Sequence, residues 1–363
     1  MRKRTTEEKV MKIKKIVLIL LVLILFQILR LEIEKIIAKV PVTPDYVNYS
    51  SDDVGESIGN YIILDRTNDI TRLPLLGSGV YLYDVDSDKM NLLSYIVDPV
   101  GTYFENVICD NTLYGGICRG VENYKGYKKE LKKNIRTKTT VENPYDNYSI
   151  CDDKMYFIDA DLYGGQTGNL EVKDLNTGEN RIFVEGDIEC FGINEGKMYC
   201  FDKHKQAIII IDLDTNERNE YPYQCSYMWR MGFFEQENVF CFAEGDNENG
   251  DWRIVEYDLN TNEKKILWDQ IHPYNTQHIY VRDECVYWCD YSFEGKVYCY
   301  DQKESSEKML FEFKEVKAET DSPSFYFCDD YIVFEVYDSE HNEGRNTMFV
   351  YDYNGELIRK VKR

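Results

Sequence analysis

Along most of the chain short apolar runs alternate with polar turns, and one such figure recurs. Leu170-Glu171-Val172-Lys173-Asp174-Leu175-Asn176-Thr177-Gly178-Glu179-Asn180-Arg181-Ile182-Phe183 returns as Ile210-Ile211-Asp212-Leu213-Asp214-Thr215-Asn216-Glu217 and as Glu256-Tyr257-Asp258-Leu259-Asn260-Thr261-Asn262-Glu263. Each copy predicts a β-hairpin. Asp or Asn at the reversal bonds its own backbone two residues on, and Gly178, Asn216 or Asn262 takes the left-handed conformation that closes the loop. A second element stands upstream of each hairpin, a polar turn followed by an apolar stretch with an aromatic. Its anchors are Tyr114, Tyr156, Tyr199, Phe240, Tyr287 and Val333, at intervals of 42, 43, 41, 47 and 46 residues. An earlier, less regular member is Tyr61-Ile62-Ile63-Leu64, with its hairpin at Val80-Tyr81-Leu82-Tyr83-Asp84.

Each unit reads as four strands; in the fourth they are expected over 187–193, 197–201, 207–213 and 219–223. A period in the forties with four short antiparallel strands marks a β-propeller blade. A large sandwich has no reason to keep a constant interval, and a β-helix needs a shorter one. The fold expected is therefore all-β, a propeller over residues 58–363.

Tyr287-Trp288-Cys289-Asp290 resembles the Tyr-Trp-Thr-Asp signature of low-density-lipoprotein-receptor-type propellers, and Tyr156-Phe157-Ile158-Asp159 and Tyr199-Cys200-Phe201-Asp202 are looser versions in the equivalent place. The resemblance implies a propeller that serves in binding or as a scaffold. That family has six blades, whereas the repeat favours seven, so both numbers stand at this point.

Successive strands A to D of a blade run antiparallel, which puts the short A–B and C–D turns on one rim. The variable B–C and D–A loops share the other: 161–168, 244–251, 338–345, 223–231 and 269–277. Function sits on loops carried by a rigid scaffold, so a site is expected on that second rim or at the channel mouth.

The amino terminus follows a different pattern. Residues 16–29 are apolar except for Gln27, between Lys14-Lys15 and Arg30. Charged residues follow at once and no small-x-small cleavage site follows closely, so 16–31 reads as a transmembrane signal anchor lengthened by snorkelling of its flanking cations, with a cleaved signal peptide and a buried helix as the alternatives. Residues 1–15, with a charge of +5, then form a cytoplasmic tail by the positive-inside rule, and the rest lies outside the cell membrane. Pro41 and Pro44 end any continuing helix, and 32–57 reads as a solvated stalk.

Composition changes the picture in two ways. Thirty Tyr and 17 Phe suit strands. Residues 31–363 carry a net charge of −28, which repels phosphate backbones and excludes nucleic acid as a partner. Abundant Lys, Ile, Asn and Tyr point to an AT-rich bacterial genome, hence to a cell-wall face outside the membrane.

Candidate chemistry is sparse. His204, His272, His278 and His341 have no metal-ligand spacing, and there is no phosphate loop or nucleophile elbow, so no metal, cofactor or catalytic residue is expected. Asp246-Asn247-Glu248-Asn249-Gly250-Asp251 misses the calcium-loop pattern and reads as a hairpin loop. The eleven Cys lie mostly in apolar strand contexts and read as buried thiols, with Cys109–Cys118 or Cys289–Cys299 as bridges that an extracytoplasmic location would allow. Lys125, Lys128, Lys129, Lys132, Lys133, Arg136 and Lys138 form a basic insert that reads as a solvated face or a contact for anionic polymer. Tyr223, Tyr227, Trp229 and Arg230 share a D–A loop and form the candidate ligand-binding group, with packing between blades as the alternative.

These observations favour an extracytoplasmic module that binds a protein, peptide or cell-wall component. An enzyme acting on glycans, as hydrolase or lyase, is the alternative, and would need two carboxyl groups converging at the channel mouth. A structural subunit of a surface assembly is a third reading, marked by a large exposed apolar patch.

Overall fold

The computed structural model describes residues 2–37, 41–50, 57–66, 79–95, 102–118, 124–131, 135–138, 147–159, 167–234, 238–246, 252–271, 279–282, 284–290, 296–312, 324–337 and 346–362. One helix, α1 (Arg2–Ile37), precedes an otherwise all-β chain. Its 36 residues run past both ends of the expected 16–31 span. No helix among the described residues is long and apolar enough to cross a membrane.

After β1 (Tyr46–Ser50), consecutive strands pair antiparallel in sets of four. The first set is β2 (Ser57–Ile58), β3 (Tyr61–Arg66), β4 (Gly79–Asp84) and β5 (Lys89–Tyr95), and the next is β6 (Thr102–Cys109), β7 (Thr112–Cys118), β8 (Tyr124–Glu130) and β9 (Ile135–Lys138). Then come β10 (Asn147–Cys151), β11 (Lys154–Asp159), β12 (Gly168–Asp174) and the long β13 (Asn180–Asn194). β14 (Lys197–Asp202), β15 (Ala207–Asp212) and β16 (Arg218–Pro222) continue from β13 in one sheet. The remaining sets are β17 (Tyr227–Phe233), β18 (Val239–Gly245), β19 (Trp252–Asp258) and β20 (Glu263–Ile271); β21 (Tyr280–Arg282), β22 (Cys285–Asp290), β23 (Lys296–Asp301) and β24 (Ser306–Glu312); and β25 (Ser324–Phe327), β26 (Tyr331–Tyr337), β27 (Asn346–Asp352) and β28 (Leu357–Lys362).

β13 explains the double sheet. Val184 and the residues before it pair with β12, whereas Ile188 onward pairs with β14. The outer strand of one set thus runs into the inner strand of the next without a loop. Gly186 sits at the hand-over, where a Cβ would stand 2.5 Å from Asp202 Oδ2. The strands expected for this unit agree with those found to within one residue, apart from this early start of β13.

The core lies between neighbouring sets. Phe201, Ile208 and Tyr223 pack on Phe240, Phe242 and Tyr257; Cys241 and Ile254 pack on Val286 and Trp288; and Val297 and Phe311 pack on Phe325, Ile332 and Phe349. The last set returns onto the first, with Tyr326, Val333 and Met348 against Ile62, Leu64 and Tyr83. Hydrogen bonds close the same seam, Asp330 N–H to Asn60 Oδ1 at 2.9 Å and Asn60 Nδ2 to Asp330 Oδ2 at 2.7 Å. The periodic anchors Tyr114, Tyr156, Tyr199, Phe240, Tyr287 and Val333 are all buried, which is why their interval tracks the unit. A buried side chain of this size contributes about 2–3 kcal/mol.

The short turns do share one rim. The N–H of the residue after the third strand bonds back to the turn between the first two: Val85 to Asn60 at 2.9 Å, Leu175 to Asp153 at 2.8 Å, Leu213 to Gly196 at 2.9 Å and Leu259 to Asn238 at 3.0 Å. The reversals close as expected, with φ of 82° at Gly178, 59° at Asn216 and 57° at Asn262. Asp174 Oδ1 accepts the N–H groups of Asn176 and Thr177, both at 2.8 Å; Asp212 Oδ1 accepts those of Asp214 and Thr215, and Asp258 Oδ1 that of Asn260.

The stalk is corrected in part. β1 pairs antiparallel with β10, on the inner edge of its set, and Val47 is buried. Asn48 holds the backbone of Ile193 at both N–H and C=O, each at 2.8 Å, and also accepts Ser149 Oγ–H at 2.7 Å. Pro44 C=O accepts Asp110 N–H at 2.8 Å, so the segment touches three consecutive sets. A solvated stalk could not leave its backbone so paired.

Candidate functional site

On the rim opposite the short turns, an open cavity of about 820 Å³ lies where β14–β16 meet β17–β20. Its walls are Lys203, Gln206, Gln224, Cys225, Ser226, Tyr227, Asp246 and Arg253. The first two come from the β14–β15 turn, the next three from the β16–β17 connection and Tyr227 from the start of β17. The last two flank the β18–β19 loop. The site is thus on the rim where variable loops were expected.

Two buried carboxylates lie under it. Glu189 accepts Lys203 Nζ at 2.8 Å and Met228 N–H at 2.8 Å. Burial pushes the Glu189 carboxyl up, against the pull of these two bonds. Lys203 also stands 3.7 Å from the centre of the Tyr227 ring, a cation–π contact. Glu244, fully buried, accepts Arg253 Nε at 2.5 Å, Lys264 Nζ at 2.5 Å and Tyr223 O–H at 2.6 Å. Arg253 Nη2 reaches on to Asp246 Oδ1 at 2.8 Å. These contacts hold Arg253 and Lys203 at the cavity wall. Asp202 Oδ2 makes no hydrogen bond, although Lys205 Nζ stands 3.3 Å away.

The expected ligand group divides. Tyr227 lines the cavity. Tyr223 is buried rather than exposed, edge-on to Phe242 and Tyr257 at 5.2 and 5.0 Å, and its hydroxyl orients Glu244. Burial and Glu244 push its phenol far up. Trp229 packs against the cluster between β17–β20 and β21–β24, the packing role weighed for it. Arg230 follows at a bulge between Trp229 and Met231, with its side chain outside the described residues. Tyr227, Trp229 and Arg230 are on β17, not in a loop.

Sequence reasoning missed Lys203, Gln206, Arg253, Glu189 and Glu244. The available signal was Lys203-His204-Lys205, a basic turn in an acidic body. His204 is exposed, and His272, His278 and His341 lie outside the described residues. Among the described residues no group of three His, Cys, Asp or Glu is placed to hold a metal ion. Of the loop 246–251, Asp246 pairs with Arg253 and 247–251 lie outside the described residues.

The basic insert is partly structural. Lys128, with 19% of its side chain exposed, bonds Asp153 of the next set at 2.8 Å, and Lys129 is buried with its Nζ on Leu93 C=O. Side chains of Lys125, Lys132, Lys133, Arg136 and Lys138 lie outside the described residues. The cysteine bridges considered do not match the register. Cys109 faces Thr112 and Cys118 faces Thr102, at opposite ends of one hairpin. Cys289 faces Val297, and Cys299 faces Tyr287. The described cysteines are free thiols, most of them buried.

Comparison with solved structures decides the fold. An oligogalacturonate lyase in complex with manganese matches at 13% identity with a TM-score of 0.53, over 84% of this chain and 90% of that one. A quinonprotein alcohol dehydrogenase-like protein from Bacteroides thetaiotaomicron matches at 11% identity with a TM-score of 0.51, over 78% and 73%. The fold is a β-propeller. A nidogen/laminin complex also matches, at 12% identity over 70% and 92%, but its TM-score of 0.41 does not decide the propeller's type. No protein-family model and no curated protein matches the chain.

Proposed function

We propose that this chain is a seven-bladed, membrane-associated extracytoplasmic propeller that binds an acid-bearing glycan of the cell envelope in the Lys203–Arg253 cavity. The observation that carries the reading is the cavity's composition. In a protein of net charge −22, its wall offers two cations against one carboxylate, Asp246, with two carboxamides, a hydroxyl, a thiol and one aromatic face, and no aliphatic side chain. Such a wall suits a hydroxyl-rich chain with carboxylate groups, to which Arg253 offers the guanidinium N–H groups that Glu244 and Asp246 leave over, and Lys203 a point charge.

Seven blades are supported by the sets of four strands, with β13 divided at its hand-over between two of them. The low-density-lipoprotein-receptor type rests on Tyr287-Trp288-Cys289-Asp290, whose Trp288 is buried between blades. Membrane association rests on α1. Val17, Leu18, Ile19, Leu20, Leu21 and Val22 are successive and all about half exposed or more, so apolar surface runs round the whole helix. Its apolar run rises about 21 Å at 1.5 Å per residue, short of the roughly 30 Å hydrocarbon core, so Lys14, Lys15 and Arg30 would snorkel. β1 enters the ring from the short-turn rim, where Pro44 meets Asp110, which would turn the cavity away from the membrane.

The test is calorimetric titration of the detergent-solubilised protein with a soluble polyuronate and a neutral glucan of equal length. Binding is expected for the polyuronate alone, lost in Lys203→Gln and weakened in Tyr227→Ala. Equal affinity for both polymers, or none for either, would sink the reading. The enzyme alternative has one observation in its favour, the buried Glu189 beside Lys203, whose carboxyl burial pushes up. Shortening of the polyuronate during the titration would assign it. The assembly-subunit reading has less support: exposed Ile182, Ile266, Met309 and Leu357 lie on the outer strands of four different blades, not in one patch.

A further inference from the structure

The carboxylates linked to the cations of the cavity wall divide by burial. Glu189 and Glu244 are buried, and each is fixed by more than one bond: Glu189 by Lys203 Nζ and Met228 N–H, both at 2.8 Å, and Glu244 by Arg253 Nε and Lys264 Nζ at 2.5 Å and Tyr223 O–H at 2.6 Å. Neither can leave its cations without being stranded in the interior. Asp246 is different. It stands just past the end of β18 with 70% of its side chain exposed, and its one side-chain partner among the described residues is Arg253, whose Nη2 donates to Oδ1 at 2.8 Å.

The charges match one for one. Arg253 and Lys264 share the single charge of Glu244, Lys203 is met by Glu189, and Asp246 supplies the negative charge that Glu244 leaves wanting. The cavity therefore presents cations without net positive charge. A ligand carboxylate that reaches the N–H groups left over on Arg253 comes up against Asp246, a like charge on the same Nη2.

We propose that Asp246 is an internal stand-in for the ligand's carboxylate: it caps Arg253 in the free protein, and an incoming carboxylate replaces it on Nη2 while Asp246 turns out into solvent. The proposal rests on the glycan reading and deepens it by naming what the ligand must displace. The move costs little, because the Asp246 side chain is already mostly in water and an exposed ion pair contributes little. A neutral hydroxyl cannot match a carboxylate on a guanidinium, so Asp246 also keeps uncharged glycans off Arg253.

The test is calorimetric titration of the full-length, detergent-solubilised protein with a soluble polyuronate over a range of salt concentrations. Asp246→Ala is expected to bind about threefold more tightly than wild type at low salt, the size of an exposed ion pair. Its affinity is expected to fall more steeply as salt rises, because one carboxylate no longer replaces another. Asp246→Asn, which keeps the shape of the side chain, is expected to shift the same way. Asp214→Asn removes the same charge from an exposed turn on the opposite rim and is expected to change neither affinity nor salt dependence. Wild-type binding that both Asp246 variants leave unchanged or weaken would overturn this proposal and leave the glycan reading standing. An equal gain in Asp214→Asn would overturn it too, by tracing the gain to net charge. Binding by none of these proteins would sink the glycan reading, and the displacement with it.

Discussion

The two rims of the ring solve the same problem, reversing a strand, with opposite chemistry. On the short-turn rim each reversal is satisfied locally: Asp174, Asp212 and Asp258 bond the backbone two or three residues on, and Leu175, Leu213 and Leu259 donate to the neighbouring turn of the same blade. On the loop rim between β14–β16 and β17–β20, stability and charge are shared between blades. Tyr223 of one blade bonds Glu244 of the next, Glu189 bonds the backbone of Met228, and the cations on those carboxylates form the cavity wall. Local satisfaction of the backbone permits repetition, even where a side chain on that rim also reaches the next blade, as Lys128 reaches Asp153 and Asn60 reaches Asp330. Sharing across a seam makes one seam unlike the others, and there a ligand site can arise.

Four substitutions or conditions test that contrast. Glu244→Ala strands two cations and a phenol, and is expected to lower stability in urea by about 3–5 kcal/mol. If Asp174→Ala on the opposite rim cost as much, the contrast between rims would fail. Asn48→Ala removes three hydrogen bonds that pin β1 inside the ring and is expected to cost about 2 kcal/mol, with faster proteolysis of the amino-terminal segment as a second readout. An unchanged urea midpoint would show that β1 does not hold the blades together. Gly178→Ala, at φ 82°, is expected to cost about 1 kcal/mol and to leave ligand binding unchanged.

The smallest effect is on acid stability. Backbone N–H groups hold the exposed Asp174 and Asp212 carboxyls below the usual range. Asp153, despite the opposing effect of its burial, is held low by Lys128, Tyr114 and Asn176. A carboxyl lowered in the folded state stabilises above its unfolded value, about 3.9, and that stabilisation fades as pH falls through the folded value. Asp174→Asn combined with Asp212→Asn is therefore expected to flatten the acid limb of the unfolding curve slightly. A steeper limb would contradict the sign.

The repeat was legible because each blade is a local object. Tyr156, Tyr199 and Phe240 are buried at one position of one strand, so their spacing measures the blade, and the turn residues act on their own backbone. The site was legible only as a rim. Of the aromatics named because they stand near a loop, Tyr227 lines the cavity, whereas Tyr223 and Trp229 face seams, the packing weighed as their alternative. Lys203 and Arg253 are 50 residues apart and Glu189 and Glu244 are 55 apart. Nothing in the spacing of such pairs says that a seam brings them to one cavity.

β1 makes the same point from the other end. Pro41, Pro44 and the polar residues after Asn48 describe a segment without a face of its own to bury. Its backbone nonetheless finds an unpaired inner strand edge at β10, and Asn48 finds Ile193, 145 residues away. The sequence by itself determined the period, the strands within it, the turn chemistry and the rim where variation collects, since all of these follow from interactions within some forty residues. Only the tertiary structure decided which rings, carboxylates and cations share a seam, and what fills the inner edge of the ring. Those depend on surfaces that exist only once the blades have closed on one another.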